Sequence, residues 1–86
     1  MNIYRSLEEG QVVESTAGRD RGRLFIVFEV LDDFYVTVVD GKSRRLEKPK
    51  KKKIKHLRIY NKVFKEEMQR KDLLDAHIRK MLESLV

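Results

Sequence analysis

With 86 residues, a net charge of +6 and no cysteine, the chain has room for one domain and for neither a disulfide nor a thiolate metal site. A chain this short buries only roughly 60–65% of the surface it exposes when unfolded, so recognition on the surface is expected rather than a deep substrate cavity. The longest apolar run, Leu24 to Phe28, is far too short to span a bilayer, and the start of the chain, with Glu8 and Glu9, lacks an apolar signal core; a soluble cytoplasmic protein with no membrane attachment is expected.

Periodicity and punctuation divide the chain into an N-terminal segment 1–9, a β-rich domain 10–60 and a helical extension 61–86. The β-rich part carries turn signals at Ala17-Gly18, Asp32-Asp33 and Asp40-Gly41, and closely spaced short strands imply a small barrel or sandwich. The first candidate strand is Gln11 to Ser15. The loop after it, Thr16 to Arg23, holds Gly18 and Gly22, which permit sharp turns. It also carries Arg19, Arg21 and Arg23, three guanidinium groups able to fork onto phosphate oxygens, and Asp20 is positioned to orient one of them. The plain alternative is a hairpin loop kept soluble by charge.

The second strand is expected from Arg23 to Leu31. Alternation puts Leu24, Ile26, Phe28 and Val30 on one face, and Phe25, Val27 and Leu31 with Glu29 on the other. Both faces are apolar, so the strand is covered on both sides or bulged; a bulge near Phe28 would turn Val27 and Val30 both inward. Phe25 and Phe34 are assigned to packing. A third strand is expected from Phe34 to Val39, then a tight turn at Asp40-Gly41, a short basic fourth strand from Ser43 to Glu47, and a fifth from Lys55 to Ile59. Five strands in so short a stretch suit an SH3-like barrel.

Nine of the fourteen residues from Lys42 to Lys55 are Lys or Arg and Glu47 is the only acid, giving that run +8 against +6 for the whole chain. Basicity this local makes a focused field suited to a polyanion. Within it Lys42, Arg44, Arg45 and Lys55 flank or occupy strands, whereas Pro49 breaks the ladder and Lys48, Lys50, Lys51, Lys52 and Lys53 are expected as a mutually repelling, mobile loop or fraying edge.

From Asn61 the period lengthens. Phe64, Met68, Leu74, Ile78, Met81 or Leu82, and Leu85 fall at helical spacing, Asn61 reads as an N-cap, and a helix is expected from Lys62 to Ser84 with a break near Arg70 to Asp72, where Asp72 would cap a second helix. The simplest role is an amphipathic helix packed on the barrel. A homodimerising or partner-binding helix is the sharper alternative, although Glu67 and Lys71 break its heptad.

Val12-Val13, the Ala17-Gly18-Arg19-Asp20-Arg21-Gly22-Arg23 loop and the apolar strand after it resemble a KOW motif, the SH3-like barrel module of ribosomal proteins and transcription elongation factors. The likeness is greatest to the archaeal and eukaryotic large-subunit ribosomal protein class L-fourteen-e, across Gly10 to Val13, Ala17 to Arg19, Gly22, Val36 to Gly41, Arg44-Arg45 and Lys55-His56-Leu57. Many KOW motifs carry a further glycine where this chain has Phe25, and the helical extension is unmatched. The resemblance implies a mainly β, five-stranded SH3-like barrel that binds structured RNA, rRNA first of all.

The residues point the same way. Neutralised phosphates release counterions and drive affinity, a role for Lys48 and Lys50 to Lys53, while the loop arginines set register. His56 beside Lys55 suits a phosphate contact, and Tyr35 or Tyr60 could stack on an unpaired base. Catalysis, a metal and a cofactor are not expected: His56 and His77 lie in different elements with no second histidine at ligand spacing, Asp32-Asp33 and Glu8-Glu9 read as turns and solvated charge, and no nucleotide-cradling glycine loop is present. The expectation is therefore a non-catalytic RNA-binding protein associated with the ribosome or translation. The alternative from another class is a protein-interaction adaptor of the translation or transcription machinery that uses the barrel and the C-terminal helix; a homodimer through the helix is compatible with either.

Overall fold

The computed structural model describes residues 7–86, so most of the expected N-terminal segment 1–9 lies outside the described residues. Five antiparallel strands, β1 (Gln11–Ser15), β2 (Leu24–Val30), β3 (Tyr35–Val39), β4 (Lys50–Lys53) and β5 (Leu57–Val63), form one sheet in the order β4-β3-β2-β1-β5. The architecture is mainly β and SH3-like, as the sequence implies, but β4 and β5 do not pair and the barrel is not closed. A single 3-10 turn, Ile54–His56, links β4 to β5, and two helices follow, α1 (Lys65–Met68) and α2 (Asp75–Glu83).

Apolar residues on both faces of the central strands build two cores. On the concave side Val13, Phe25, Val27, Val36, Val38 and Ile54 pack with Leu7. On the other face Val12, Ile26 and Val39 pack against Phe64, Ile78 and Met81 from the helical segment. Adjacent residues therefore serve opposite cores: Val12 faces Ile26 across the β1–β2 ladder while Val13 faces Phe25, which is why strict alternation of polar and apolar residues is missing from β1 and β2. Each fully buried Val, Ile or Phe contributes about 1.5–3 kcal/mol.

Of the two alternatives left open for β2, cover on both faces and a bulge, the structure shows both. The β2–β3 register shifts between Val27 and Glu29, so Val30 comes opposite Val36, on the side of Val27, yet at the rim it stays 40% exposed.

Expectations for the fourth strand, the turn before it and the helical segment are corrected. Residues 43–47 form no strand; the fourth strand is the tetra-lysine itself, paired with β3 from Tyr35↔Lys53 to Val38↔Lys50. Asp40-Gly41 consequently does not make a two-residue hairpin but opens a ten-residue connection. The helix does not begin at Lys62 with Asn61 as its cap, because β5 continues through Val63. The Gln11 side chain donates to the carbonyl oxygens of Tyr60 (2.6 Å) and Lys62 (3.4 Å) where the β1–β5 register shifts. Together with the Phe64 amide bonded to the Gly10 carbonyl oxygen, this holds the segment extended against its helical periodicity. The expected break between helices exists, but Asp72 pairs with Arg70 at 3.0 Å instead of capping α2; at its start the Leu74 amide donates to His77 Nδ1 (2.9 Å). Ile78 and Met81 face the sheet as expected, whereas Leu74 is 59% exposed and its neighbour Leu73 packs on the core.

Candidate nucleic-acid interface

The loop between β1 and β2 is a tight, ordered structure. Gly18 and Gly22 both have positive φ, 73° and 88°, and a Cβ at either would meet nothing within 4 Å; glycine is required there for backbone conformation alone. Backbone bonds from Gly22 N to Ser15 O (2.8 Å) and from Arg23 N to Asp20 O (2.9 Å) close the turn. Arg19 and Arg21 project into solvent.

Asp20 lies at the centre of the basic surface. It is 7% exposed, and its carboxylate meets Lys52 Nζ at 3.0 Å, Arg44 Nη2 at 3.4 Å and Arg23 Nη1 at 3.9 Å. Burial by itself pushes this carboxyl up, but the hydrogen bonds and charges of Lys52 and Arg44 together outweigh it and hold Asp20 below its ordinary value. One acid thus gathers cations from three separate segments, and the expectation that Asp20 orients a single arginine was too modest.

The connection between β3 and β4 is fixed from two directions. Asp40 Oδ1 accepts the amides of Lys42 (2.9 Å) and Arg44 (2.8 Å), and its Oδ2 accepts the Ser43 hydroxyl (3.1 Å). Ser43 Oγ in turn accepts Arg23 Nη1 at 2.8 Å, tying this connection to the glycine-arginine loop. From the other side α2 grips it: Arg79 donates to the Gly41 carbonyl oxygen (2.6 Å) and the Leu46 amide donates to Asp75 (2.9 Å). Gly41, at φ 78°, sits so close beneath α2 that a Cβ would lie 2.5 Å from the Asp75 carbonyl oxygen. Arg45 donates to the Lys42 carbonyl oxygen and its side chain is otherwise exposed. Lys42, Arg44, Arg45, Lys48, Pro49 and Lys50, with Glu47, surround an open depression of about 550 Å³. Arg44 Nε is buried without a hydrogen-bond partner among the described residues.

The lysines of β4 are not a mobile arm. Lys50 and Lys52 lie opposite Val38 and Val36 and share their face; Lys51 and Lys53 occupy the other. Lys52 is therefore drawn inward, with its side chain only 13% exposed, bonded to Asp20 and reaching Ser15 Oγ at 3.4 Å, and its ammonium lies 5.8 Å from the centroid of the Phe25 ring. Lys51 sits 4.4 Å from the centroid of Tyr35. Lys50, Lys51 and Lys53 are exposed along an edge strand, where lysine also discourages pairing with another sheet.

Lys55 and His56 occupy the 3-10 turn, and the His56 carbonyl oxygen accepts the Thr16 amide (2.9 Å), so this turn abuts the start of the glycine-arginine loop. The two stacking candidates differ. Tyr35 is half-buried beneath Lys51, whereas Tyr60 is 38% exposed and donates its hydroxyl to Glu14, a bond that leads in pushing its phenol above the ordinary value. Phe25 is fully buried, as assigned, but Phe34 is 70% exposed and packs into neither core.

Asp20, the Arg23–Ser43 bond and the Thr16–His56 bond thus tie together the segments that carry Arg19 to Arg23, Lys42 to Arg45 and Lys55-His56, while Lys50, Lys51 and Lys53 lie exposed on the edge strand. Ser43, Asp75 and Arg79 act on this surface without having been singled out; their roles depend on contacts spanning 20 to 38 residues that no local pattern announces. Among the described residues no cluster of His, Asp and Glu could hold a metal ion, and no helix is long and apolar enough to cross a membrane.

No protein-family model matches the chain. Over 60 residues it is 38% identical to the large ribosomal subunit protein eL14 of Desulfurococcus amylolyticus. The chain resembles eL14. The match takes in 70% of the chain and spans 62% of the length of the eL14 protein, and it bears out the resemblance read from the glycine-arginine loop and its neighbouring strands.

Proposed function

We propose that the chain is a non-catalytic RNA-binding protein that docks on structured RNA of the ribosome, rRNA in particular. The observation that carries this reading is the joining of two basic loops around buried Asp20, through Arg23, Arg44 and Lys52 and the Arg23–Ser43 bond. Mutually repelling cations held in fixed positions before binding lose little further freedom when phosphate arrives. The relative's name supports the ribosomal setting, since eL14 is by that name a protein of the large subunit.

The surface divides into roles. Arg19, Arg21 and Arg45, exposed and clear of Asp20, make the direct phosphate or base contacts; guanidinium forks suit both. Arg23 and Arg44 set the relation between the loops. Lys42, Lys48, Lys50, Lys51, Lys53, Lys55 and His56 widen the positive field. Lys52 acts inside the protein as the counter-ion of Asp20. The adaptor and homodimer alternatives have less support, since Ile78 and Met81 of α2 are buried against the chain's own sheet.

Electrophoretic titration of a structured rRNA fragment at several salt concentrations tests the proposal. Reversing Arg19, Arg21 and Arg45 to Glu should reduce the slope of log affinity against log salt by roughly 2–3, at about 0.7–0.9 per phosphate contact. Unchanged affinity and slope in that variant would overturn the reading. Crosslinking in cells should recover one rRNA region instead of scattered transcripts.

A further inference from the structure

We infer that the tip of the β2–β3 hairpin is a second docking site, for a protein partner that presents an apolar pocket with a basic rim. This end of β2 differs in chemistry from the end that carries the glycine-arginine loop. Val30, Leu31 and Phe34 are 40%, 44% and 70% exposed, three large apolar side chains within five residues on a chain that buries its other phenylalanines wholly or in part. Isolated exposed apolar residues are ordinary, but a contiguous group marks an interaction site.

The tip is also built to hold its shape. Asp32 Oδ1 accepts the amides of both Phe34 (2.7 Å) and Tyr35 (2.8 Å), the Leu31 amide bonds to the Tyr35 carbonyl oxygen (3.0 Å), and the Phe34 carbonyl oxygen accepts the Ile54 amide (2.8 Å). Phe34 is thus presented from a fixed backbone, as an interface anchor requires.

Charge selects the partner's class. From residue 24 to residue 41 there is no Lys or Arg in a chain that has 20 of them, and the exposed acids Glu29, Asp32 and Asp33 precede and interrupt the apolar group along the chain. Carboxylates there repel phosphate, so the exposed Phe34 is a poor platform for an RNA base; of the adjoining strand's lysines, Lys53 pairs with Tyr35 across the ladder and Lys51 is held over the Tyr35 ring. Three carboxylates close in sequence to an apolar anchor complement a basic protein surface.

The test of this site can fail independently of the RNA-binding reading. A random-peptide display library is selected on the intact chain and, in parallel, on Phe34→Ser, an exposed position whose loss leaves the cores intact. Selection on the intact chain should enrich sequences that pair Leu, Ile, Met or Phe with Lys or Arg. Such a peptide, synthesised, should shift the amide resonances of residues 29–35 and bind the variant about tenfold more weakly, the scale of an anchor residue. RNA affinity should be equal in the two proteins. The inference is overturned if both selections yield the same sequences, if acidic peptides bind equally well, if oligouridylate shifts the same resonances, or if those resonances move with protein concentration alone, which would make the occupant a second copy of the chain.

Discussion

The glycine-arginine loop and the tetra-lysine strand are both dense in cations, yet the fold treats them in opposite ways. The loop leaves Arg19 and Arg21 in solvent and buries its one acid, Asp20. The strand leaves Lys50, Lys51 and Lys53 in solvent and turns Lys52 inward to meet that acid. What separates a positioned cation from a merely soluble one is therefore the location of a carboxylate, not the density of positive charge.

Removing that carboxylate should have the largest effect. Asp20→Ala leaves Lys52 and Arg44 half-buried without their counter-ion, and the cost should be about 3 kcal/mol, the low end for a broken buried pair because both cations retain some contact with water. That is a large fraction of the stability of so small a domain. A denaturant midpoint that hardly moves would mean the two basic segments are independent after all.

The same carboxylate predicts a pH dependence. Its folded-state value lies below the ordinary carboxylate range, so its contribution is complete above that range and is lost as pH falls through the lowered value. Thermal unfolding followed from neutral to acid pH should show a steeper decline for the natural chain than for Asp20→Ala. Parallel acid limbs would show that Asp20 gains nothing from its neighbours.

How much of this was legible in the sequence follows from where the partners lie. β1 was readable to the residue, whereas the two apolar faces of β2 announced cover on both sides or a bulge near Phe28 without deciding between them. The strand Lys50–Lys53 was not, because four identical residues carry no alternation and Pro49 reads as a ladder breaker. Its pairing is supplied by Val36 and Val38, and its inward lysine is justified only by Asp20, 32 positions earlier. The start of the helical segment was misplaced for a related reason: helical spacing from Phe64 is real, but Gln11, some fifty residues away, holds Tyr60 to Lys62 in the sheet. Arginine and glycine residues of the candidate surface were visible locally, whereas the acid that organises them looked like one charge among several.

A comparison within β4 sharpens the contrast. Lys52→Met keeps the stem that packs by Phe25 but removes the ammonium from Asp20, which retains Arg44; a loss of about 1.5–2 kcal/mol is expected, the low end for a hydrogen bond to a charged group. Lys50→Met or Lys53→Met should stay within about 0.5 kcal/mol. Equal effects at all three positions, measured by chemical denaturation, would contradict the inward placement of Lys52.

The smallest effect on the fold should come from neutralising Lys50, Lys51 and Lys53 together to Gln. Their ammonium groups contribute to RNA affinity through the counterions released around phosphate, a contribution that every RNA shares. The triple variant should therefore weaken binding to different structured RNAs by a similar factor and lower each salt slope alike. Replacing Arg19, Arg21 and Arg45 should instead change the ranking among RNAs, because fixed guanidinium groups set register and geometry. Competition binding with two unrelated RNA folds separates the cases. If the lysine variant reorders the two RNAs and the arginine variant weakens them evenly, the edge strand is the reader and the loop only the supplier of charge.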